Sequence, residues 1–169
     1  MTLDHPQGRD LERSELRALV DRLARRPELW GGLVTHDREQ RVYEELERDE
    51  HLSLWLICWM DDQDTGFHDH DTSTGAVAVV EGRVREERLS VGGGPVGRDL
   101  GPGDSFDFAA HDIHRVRHTG GGPAVTLHAY SPPLWRMGAY LVEPDGTLQR
   151  HSVSYAEELR PLERVPRAA

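Results

Sequence analysis

Apolar residues near the start of the chain recur with the spacing of one helix face. This i, i+3, i+4, i+7 stripe predicts an amphipathic helix, and its members are Leu16, Leu19, Val20 and Leu23. Asp10 and Ser14 are both candidate N-cap residues, and Pro27 should end the helix. The following segment, 36–46, is ambiguous, because its pattern fits either a short helix or a strand that begins near Arg41.

From Leu52 onward the pattern changes to short apolar or alternating runs, bounded by glycine and proline, which predict β-strands. Gly82 separates two of these runs and predicts a hairpin, and Pro144-Asp145-Gly146 predicts another. About nine or ten such strands predict an all-β sandwich or barrel behind one short helical region. The clearest predicted strands are 52–59, 75–81, 83–89, 105–108, 113–118, 124–130, 137–142 and 147–153.

The length of 169 residues fits a single domain, 1–169. We expect a helical N-terminal region (1–40), a barrel (41–153) and a peripheral tail (154–169). The net charge of −10 argues against nucleic acid and anionic membranes as partners. The longest apolar run, Leu54 to Met60, is too short to span a membrane, and no signal peptide is visible. A single cysteine cannot form an internal disulfide, which fits a cytoplasmic protein, and we separately expect a monomer or small homo-oligomer.

The ten histidines are unevenly distributed, since five of them lie between His68 and His118. On an extended strand His68 and His70 face the same side and Asp69 the other, so the two imidazoles can share a metal. His114, after a Gly-Pro-Gly-Asp turn, is the natural third ligand, although His111 and His118 compete by proximity. The alternative interpretation is that the His-Asp-His motif belongs to a solvated polar loop.

A second pattern lies in the run Ala124 to Tyr130, where period 2 places Thr126, His128 and Tyr130 on one face. Taken alone, His128 would be a satisfied core histidine and Tyr130 a core or rim tyrosine. Beside a histidine cluster, the same residues become candidates for catalysis.

Together these motifs resemble the cysteine dioxygenase (thiol dioxygenase) family of the cupin superfamily. The resemblance spans about residues 40–153. It rests on Cys58-Trp59, His68-Asp69-His70, His114-Arg115-Val116, His118-Thr119 and the segment from Ala124 through Ser131-Pro132-Pro133 to Leu134. It implies a cupin-type β-barrel (a double-stranded β-helix or jelly roll) that oxidises a small-molecule thiol, L-cysteine or similar, to its sulfinate with both atoms of O2.

The resemblance also implies a role for each matching residue. His68, His70 and His114 would bind one Fe(II), and three neutral imidazoles would leave a cationic site that attracts a thiolate. Tyr130 would lie beside the substrate, with His128 as its hydrogen-bonded partner. The resemblance further places Thr126 where the family has a serine and makes Ser131-Pro132 a cis peptide next to the tyrosine.

Two positions depart from the family pattern. Gly75 stands where many members carry a cysteine that crosslinks to the tyrosine. Tyr43 matches a family tyrosine, but Glu45 stands near the place of the arginine that binds the substrate carboxylate. Glu45 would repel a carboxylate or pair with an amine, whereas Arg41, on the same strand face by period 2, could replace the missing arginine.

Two other functions fit the same residues. One is a metal-binding cupin that senses or binds a small molecule without turnover. The other is a cupin dioxygenase with a substrate that is not a thiol. The intact set of His68, His70, His114 and Tyr130 favours turnover of a thiol.

Overall fold

The computed structural model describes residues 4–90 and 92–163. These residues form one α-helix, two short 3-10 helices and eleven strands in the order given by the following bounds: α1 Arg13–Ala24, 3-10 helices Pro27–Leu29 and Gly31–Leu33, β1 Val42–Arg48, β2 Ser53–Trp59, β3 Phe67–Asp69, β4 Thr74–Glu81, β5 Val84–Arg88, β6 Val96–Leu100, β7 Ser105–Phe108, β8 His114–His118, β9 Ala124–Ser131, β10 Arg136–Val142 and β11 Leu148–Ser154. The all-β fold with a short helical region in front is therefore confirmed.

The strands form two antiparallel sheets that enclose the barrel interior. The five-stranded sheet has the order β1-β2-β9-β4-β7, and the six-stranded sheet has the order β11-β10-β3-β8-β5-β6. Neighbours in a sheet are mostly distant in sequence, as in β2 beside β9 and β3 beside β10. The two halves of the chain are interleaved in this way, so residues far apart in sequence meet on one inner surface.

The predicted helix stripe is buried, and α1 packs on the outer face of the five-stranded sheet, mainly on β4 and β9. The helix begins at Arg13 with Glu12 as its N-cap, and Glu12 and Glu15 form a reciprocal capping box. The predicted N-caps are therefore wrong. Ser14 already lies inside the first turn, and the Asp10 carboxylate accepts a hydrogen bond from His51 at 2.9 Å. Among the helices of the described residues, none is long and apolar enough to cross a membrane.

The helix explains why the run 52–59 is apolar at every position but one. Leu54, Leu56 and Cys58 of β2 face α1, whereas Ile57 and Trp59 face the barrel interior. A strand covered on both faces has no solvent-facing side, so its sequence loses the alternation of an exposed strand.

Two predicted connections differ in outcome. The hairpin β10–β11 forms as predicted around Pro144-Asp145-Gly146. The hairpin predicted at Gly82 is wrong, because β4 and β5 belong to different sheets and do not pair. Gly82 has a positive φ of 64°, and a Cβ there would collide with the backbone around Pro123 and Ala124. The glycine therefore carries the chain from one sheet to the other past the start of β9.

The segment before β1, strand β6 and the C-terminal segment also differ in how far the sequence predicted them. The ambiguous segment 36–46 contains the start of β1, a strand, and β6 forms in a stretch where no strand was predicted. The expected peripheral tail lies partly outside the described residues, at 164–169. In its described part, Ala156, Glu157, Arg160, Pro161 and Glu163 are exposed, whereas Leu159 is buried in the interior core with Leu134 and Met137.

Candidate metal centre

A cavity of about 530 Å³ opens between the two sheets. Its walls are mostly apolar side chains, with polar groups concentrated at two places. One place carries imidazoles and a phenol, and the other carries a guanidinium and the residues around it. The polar lining residues used below are His68, His70, His114, His128, Tyr130, Arg41, Tyr43 and Glu158.

The structure brings His68, His70 and His114 together in the lining of this cavity. Their candidate ligand nitrogens all lie within 4.8 Å of one another, and all three residues are buried. His68 pairs directly with His114 across β3 and β8, which explains how residues so far apart in sequence become neighbours. His70 follows β3 on the same side, as period 2 predicts, and its ring centroid lies 4.8 Å from that of His68.

Hydrogen bonds fix two of the three imidazoles. His68 Nδ1 donates to the Gly66 carbonyl at 3.0 Å, and His114 Nδ1 donates to Glu86 Oε1 at 3.2 Å. Each ring therefore keeps Nε2 as the free nitrogen. His114 Nε2 and His70 Nδ1 are buried without a hydrogen-bond partner in the part of the chain that the structure describes. Buried nitrogens without a partner are costly, and a cation held by their lone pairs would remove that cost.

The electrostatics of the cluster also suit a metal. Burial lowers the pKa of His68 to about 4, and burial together with the neighbouring histidines holds the pKa values of His70 and His114 well below the usual range. The three rings are therefore neutral near pH 7. Neutral imidazole is the form that coordinates a metal, so the donor set fits a divalent cation.

The opposite side of the His-Asp-His motif anchors the strand. Asp69 points away from the cavity, as period 2 predicts, and accepts hydrogen bonds from Tyr140, from Arg150 and from the Gly138 amide. Burial opposes ionisation of Asp69, but the bonds from Arg150 and Tyr140 outweigh it and hold the pKa of Asp69 well below its usual range. This network fastens β3 to β10 and β11 directly behind the two histidines.

A chain of hydrogen bonds runs along β9 beside the three histidines. His128 lies between Thr126 Oγ1, 2.7 Å from its Nε2, and Tyr130 Oη, 3.1 Å from its Nδ1. Trp59 Nε1 donates to Thr126 Oγ1 at 2.8 Å, an extension that the sequence patterns did not indicate. Burial lowers the pKa of His128 to about 3 and raises that of Tyr130, so both groups are neutral near pH 7.

Ser131 lies at the end of β9 and its peptide bond to Pro132 is cis. Its hydroxyl makes no hydrogen bond to His68, His70 or His114. Ser131 Oγ accepts a hydrogen bond from the Leu11 amide at 2.8 Å and donates to the His51 carbonyl at 2.6 Å. The residue therefore ties the sheet to the segment in front of α1, not to the metal centre.

Gly75 faces Tyr130 directly across β4 and β9. A Cβ at Gly75 would collide with the ring of Phe108. That ring stacks on His70 with centroids 4.3 Å apart. Phe108 thus fills the space in front of Gly75, and the absence of a side chain there lets this aromatic wall reach the histidines.

Arg41 and Tyr43 both line the cavity, whereas Glu45 does not. The Arg41 guanidinium is buried and donates to Tyr43 Oη at 2.6 Å and to the Leu159 carbonyl. It also pairs with Glu158 at 3.5 Å. Glu45 instead accepts a hydrogen bond from Arg48 at 2.9 Å, next to a bulge in β1. Of these two charged candidates, only Arg41 therefore faces the cavity.

The remaining candidate ligands lie elsewhere. His111 is exposed, and His118 bonds to the Gly120–Gly122 turn and to Asp61. Two residues near the cavity escaped sequence reasoning. The burial of Glu86 could have been predicted from the sequence, because period 2 along the strand places Glu86 on the same face as the apolar Val84. No local pattern indicated Glu158, since its contact with Arg41 joins positions 117 residues apart.

Comparisons with known proteins agree with this architecture. Residues 3–94 match the family described as Cysteine dioxygenase type I, and the chain belongs to that family, within the cupin superfamily. The match contains His68 and His70, whereas His114 lies beyond it. Zebrafish (Danio rerio) Cysteine dioxygenase type 1 is 24% identical in an alignment of length 141, and the match covers 76% of this chain and 69% of the relative.

Solved structures support the fold alone. A protein from Thermus thermophilus aligns with a TM-score of 0.54 and 22% identity, over 60% of this chain and 92% of its own. A cupin superfamily protein from Desulfitobacterium hafniense aligns with a TM-score of 0.51 and 17% identity, over 61% of this chain and 87% of its own. The predicted cupin-type double-stranded β-helix is therefore confirmed.

Proposed function

We propose that the protein is a non-haem Fe(II)-dependent dioxygenase that oxidises a small-molecule thiol to its sulfinate with O2. The observation that carries the proposal is the cluster of three buried, neutral imidazoles that opens on a cavity containing Tyr130 and Arg41. Membership of the Cysteine dioxygenase type I family supports the same reaction.

In this proposal His68, His70 and His114 hold the iron. Fe(II) held there would supply a cationic, Lewis-acidic centre suited to a thiolate and dioxygen. The three imidazoles contribute no negative charge, so the centre keeps the full charge of the cation and favours an anionic sulfur over a neutral one. The apolar walls, including Phe108 and Trp59, keep bulk water away from the sulfur.

Tyr130 is the proposed hydrogen-bond donor at the reacting sulfur. Thr126 Oγ1 accepts from Trp59, so its own proton can go to His128 Nε2. His128 is neutral, and its single proton then lies on Nδ1 and is donated to Tyr130 Oη. This leaves the Tyr130 proton free for a group in the cavity, and the raised pKa keeps the phenol protonated.

Arg41 and Tyr43 are the proposed substrate-binding pair. The hydrogen bonds of Arg41 engage Nε and Nη2, and in the described part of the chain Nη1 has no partner. A carboxylate or another acceptor on the thiol can therefore bind at Nη1. L-cysteine or a similar thiol fits this arrangement.

The test is oxygen uptake by protein loaded anaerobically with Fe(II). The thiols are L-cysteine, 3-mercaptopropionate and cysteamine, and mass spectrometry follows a gain of two oxygen atoms. We expect uptake coupled to that gain with at least one carboxylated thiol. Stoichiometric iron binding without any uptake would contradict the proposal and favour a cupin that binds a small molecule without turnover.

A further inference from the structure

A buried carboxylate lies one hydrogen bond behind the candidate ligand His114. Glu86 is 1% exposed, and its Oε1 accepts a hydrogen bond from His114 Nδ1 at 3.2 Å. β5 pairs with β8, which carries His114, so this contact joins neighbouring strands of the six-stranded sheet. Among the three clustered histidines, only His114 makes such a contact with a carboxylate in the described residues.

The contact determines which nitrogen of His114 faces the cavity. A carboxylate can only accept, so the proton must lie on Nδ1 and the lone pair on Nε2. Nε2 is the nitrogen that is buried without a partner among the described residues. A carboxylate behind an imidazole also raises the basicity of the ring, and in metalloproteins such partners strengthen metal binding.

Two arginines bind the same carboxylate from the other side. Arg88 Nε donates to Glu86 Oε1 at 2.8 Å, Arg98 Nε donates to Oε2 at 2.7 Å, and Arg98 Nη2 lies 2.6 Å from the same Oε2 in an ion pair. Arg98 is half exposed, whereas Glu86 is not. The two guanidinium groups offset the negative charge of Glu86, so the charge added behind His114 does not cancel that of a bound cation.

We propose that Glu86 is a positioning residue of the metal centre. It orients His114 and strengthens it as a ligand, while Arg88 and Arg98 preserve the positive charge that an anionic substrate requires. The inference rests on the proposed metal binding, but it predicts metal and anion affinities and not thiol oxidation.

The first test compares Glu86→Gln with Glu87→Gln by Co(II) titration, followed by the absorption of the bound ion. Glu87 is the matched control, because it neighbours Glu86 on β5 but pairs with Arg85, Arg115 and Arg117 on the other face. We expect Glu86→Gln to bind Co(II) about 10–100-fold more weakly than wild type. Glu87→Gln should bind like wild type. Equal affinity of Glu86→Gln and wild type would overturn the proposal.

A second variant keeps the proposal testable if Glu86→Gln does not fold. Arg98→Gln leaves Glu86 in place and changes only a half-exposed side chain. Because less positive charge then offsets Glu86, azide should bind the Co(II)-loaded centre several-fold more weakly. Arg85→Gln, which removes the same charge from the opposite face, is the control. An unchanged azide affinity in Arg98→Gln would refute the charge-offset role.

These assays separate the two proposals. One outcome is that wild type binds Co(II), Glu86→Gln binds it more weakly, and the Fe(II)-loaded wild type oxidises no thiol. This outcome would contradict the proposed dioxygenase and support the role of Glu86. Wild-type protein that binds no metal at all would contradict both.

Discussion

The cavity has two polar walls that are built in different ways. The histidine wall consists of His68, His70, His114, His128 and Tyr130, and the arginine wall consists of Arg41, Tyr43, Glu158 and Leu159. Every member of the histidine wall lies on or directly beside a central strand, and most have hydrogen-bond partners within the sheets. The arginine wall joins the start of β1 to the segment after β11 through side-chain and carbonyl contacts.

The difference separates two tasks. Paired strands hold the imidazoles at fixed spacing, which suits a metal that tolerates little displacement of its ligands. The arginine wall depends on contacts between chain segments outside the sheets, so its shape and charge can change without disturbing the metal end. We therefore expect changes at the histidine wall to abolish the chemistry and changes at the arginine wall to alter the choice of thiol.

The largest effect is expected when a proposed ligand is removed. His114→Ala should lose stoichiometric iron binding and all thiol-dependent oxygen uptake, because two imidazoles do not complete the site. Metal analysis, an oxygen electrode and far-UV circular dichroism measure the effect and check the fold. His111→Ala, at an exposed histidine three residues earlier, is the matched control and should behave like wild type. Retained iron and activity in His114→Ala would break the assignment of the histidine wall.

Removal of the Tyr130 hydroxyl should reduce turnover without loss of the metal. Tyr130→Phe is expected to lower kcat by about 10²–10³-fold, since loss of one positioned hydrogen-bond donor costs this much. Iron binding should be unchanged. Tyr155→Phe is the control, because Tyr155 lines the cavity but packs on Trp55 and Trp135. If both variants lost activity equally, the special role of Tyr130 would be refuted.

A smaller and selective effect is expected at the arginine wall. Arg41→Gln should lower kcat/KM for carboxylated thiols by about 10–100-fold, the value of a charge-assisted hydrogen bond. The value for cysteamine, which has no carboxylate, should change little. Arg38→Gln, at an exposed arginine nearby, serves as the control. An equal loss for every thiol would mean that Arg41 supports the fold and does not select the substrate.

The smallest effect concerns the free energy of unfolding, which should depend on pH through the buried residues of the histidine wall. The folded-state pKa values of His68 and His128, about 4 and about 3, lie below the usual value of 6.5. The unfolded chain therefore binds protons that the folded chain does not, and the metal-free protein should lose stability as the pH falls from about 6.5 toward 4. Urea unfolding near pH 7.5 and near pH 5 measures this change. A midpoint independent of pH would contradict the buried, neutral state of these histidines.

The sequence by itself determined the local parts of this protein. The 3.6-residue period located α1, and period 2 placed His68 with His70, and Thr126 with His128 and Tyr130, each on one face. Such periods follow from backbone geometry alone and are legible without any knowledge of the partners.

Tertiary structure alone decided which elements meet. The pairing of β3 with β8 places His114, and not His111 or His118, beside His68. Because β4 and β5 belong to different sheets, the hairpin predicted at Gly82 does not form. Burial of Glu86 behind His114, and of Arg41 beside Glu158, depends on contacts between distant positions. No local period encodes such contacts, because they arise only when the sheets close around a common interior.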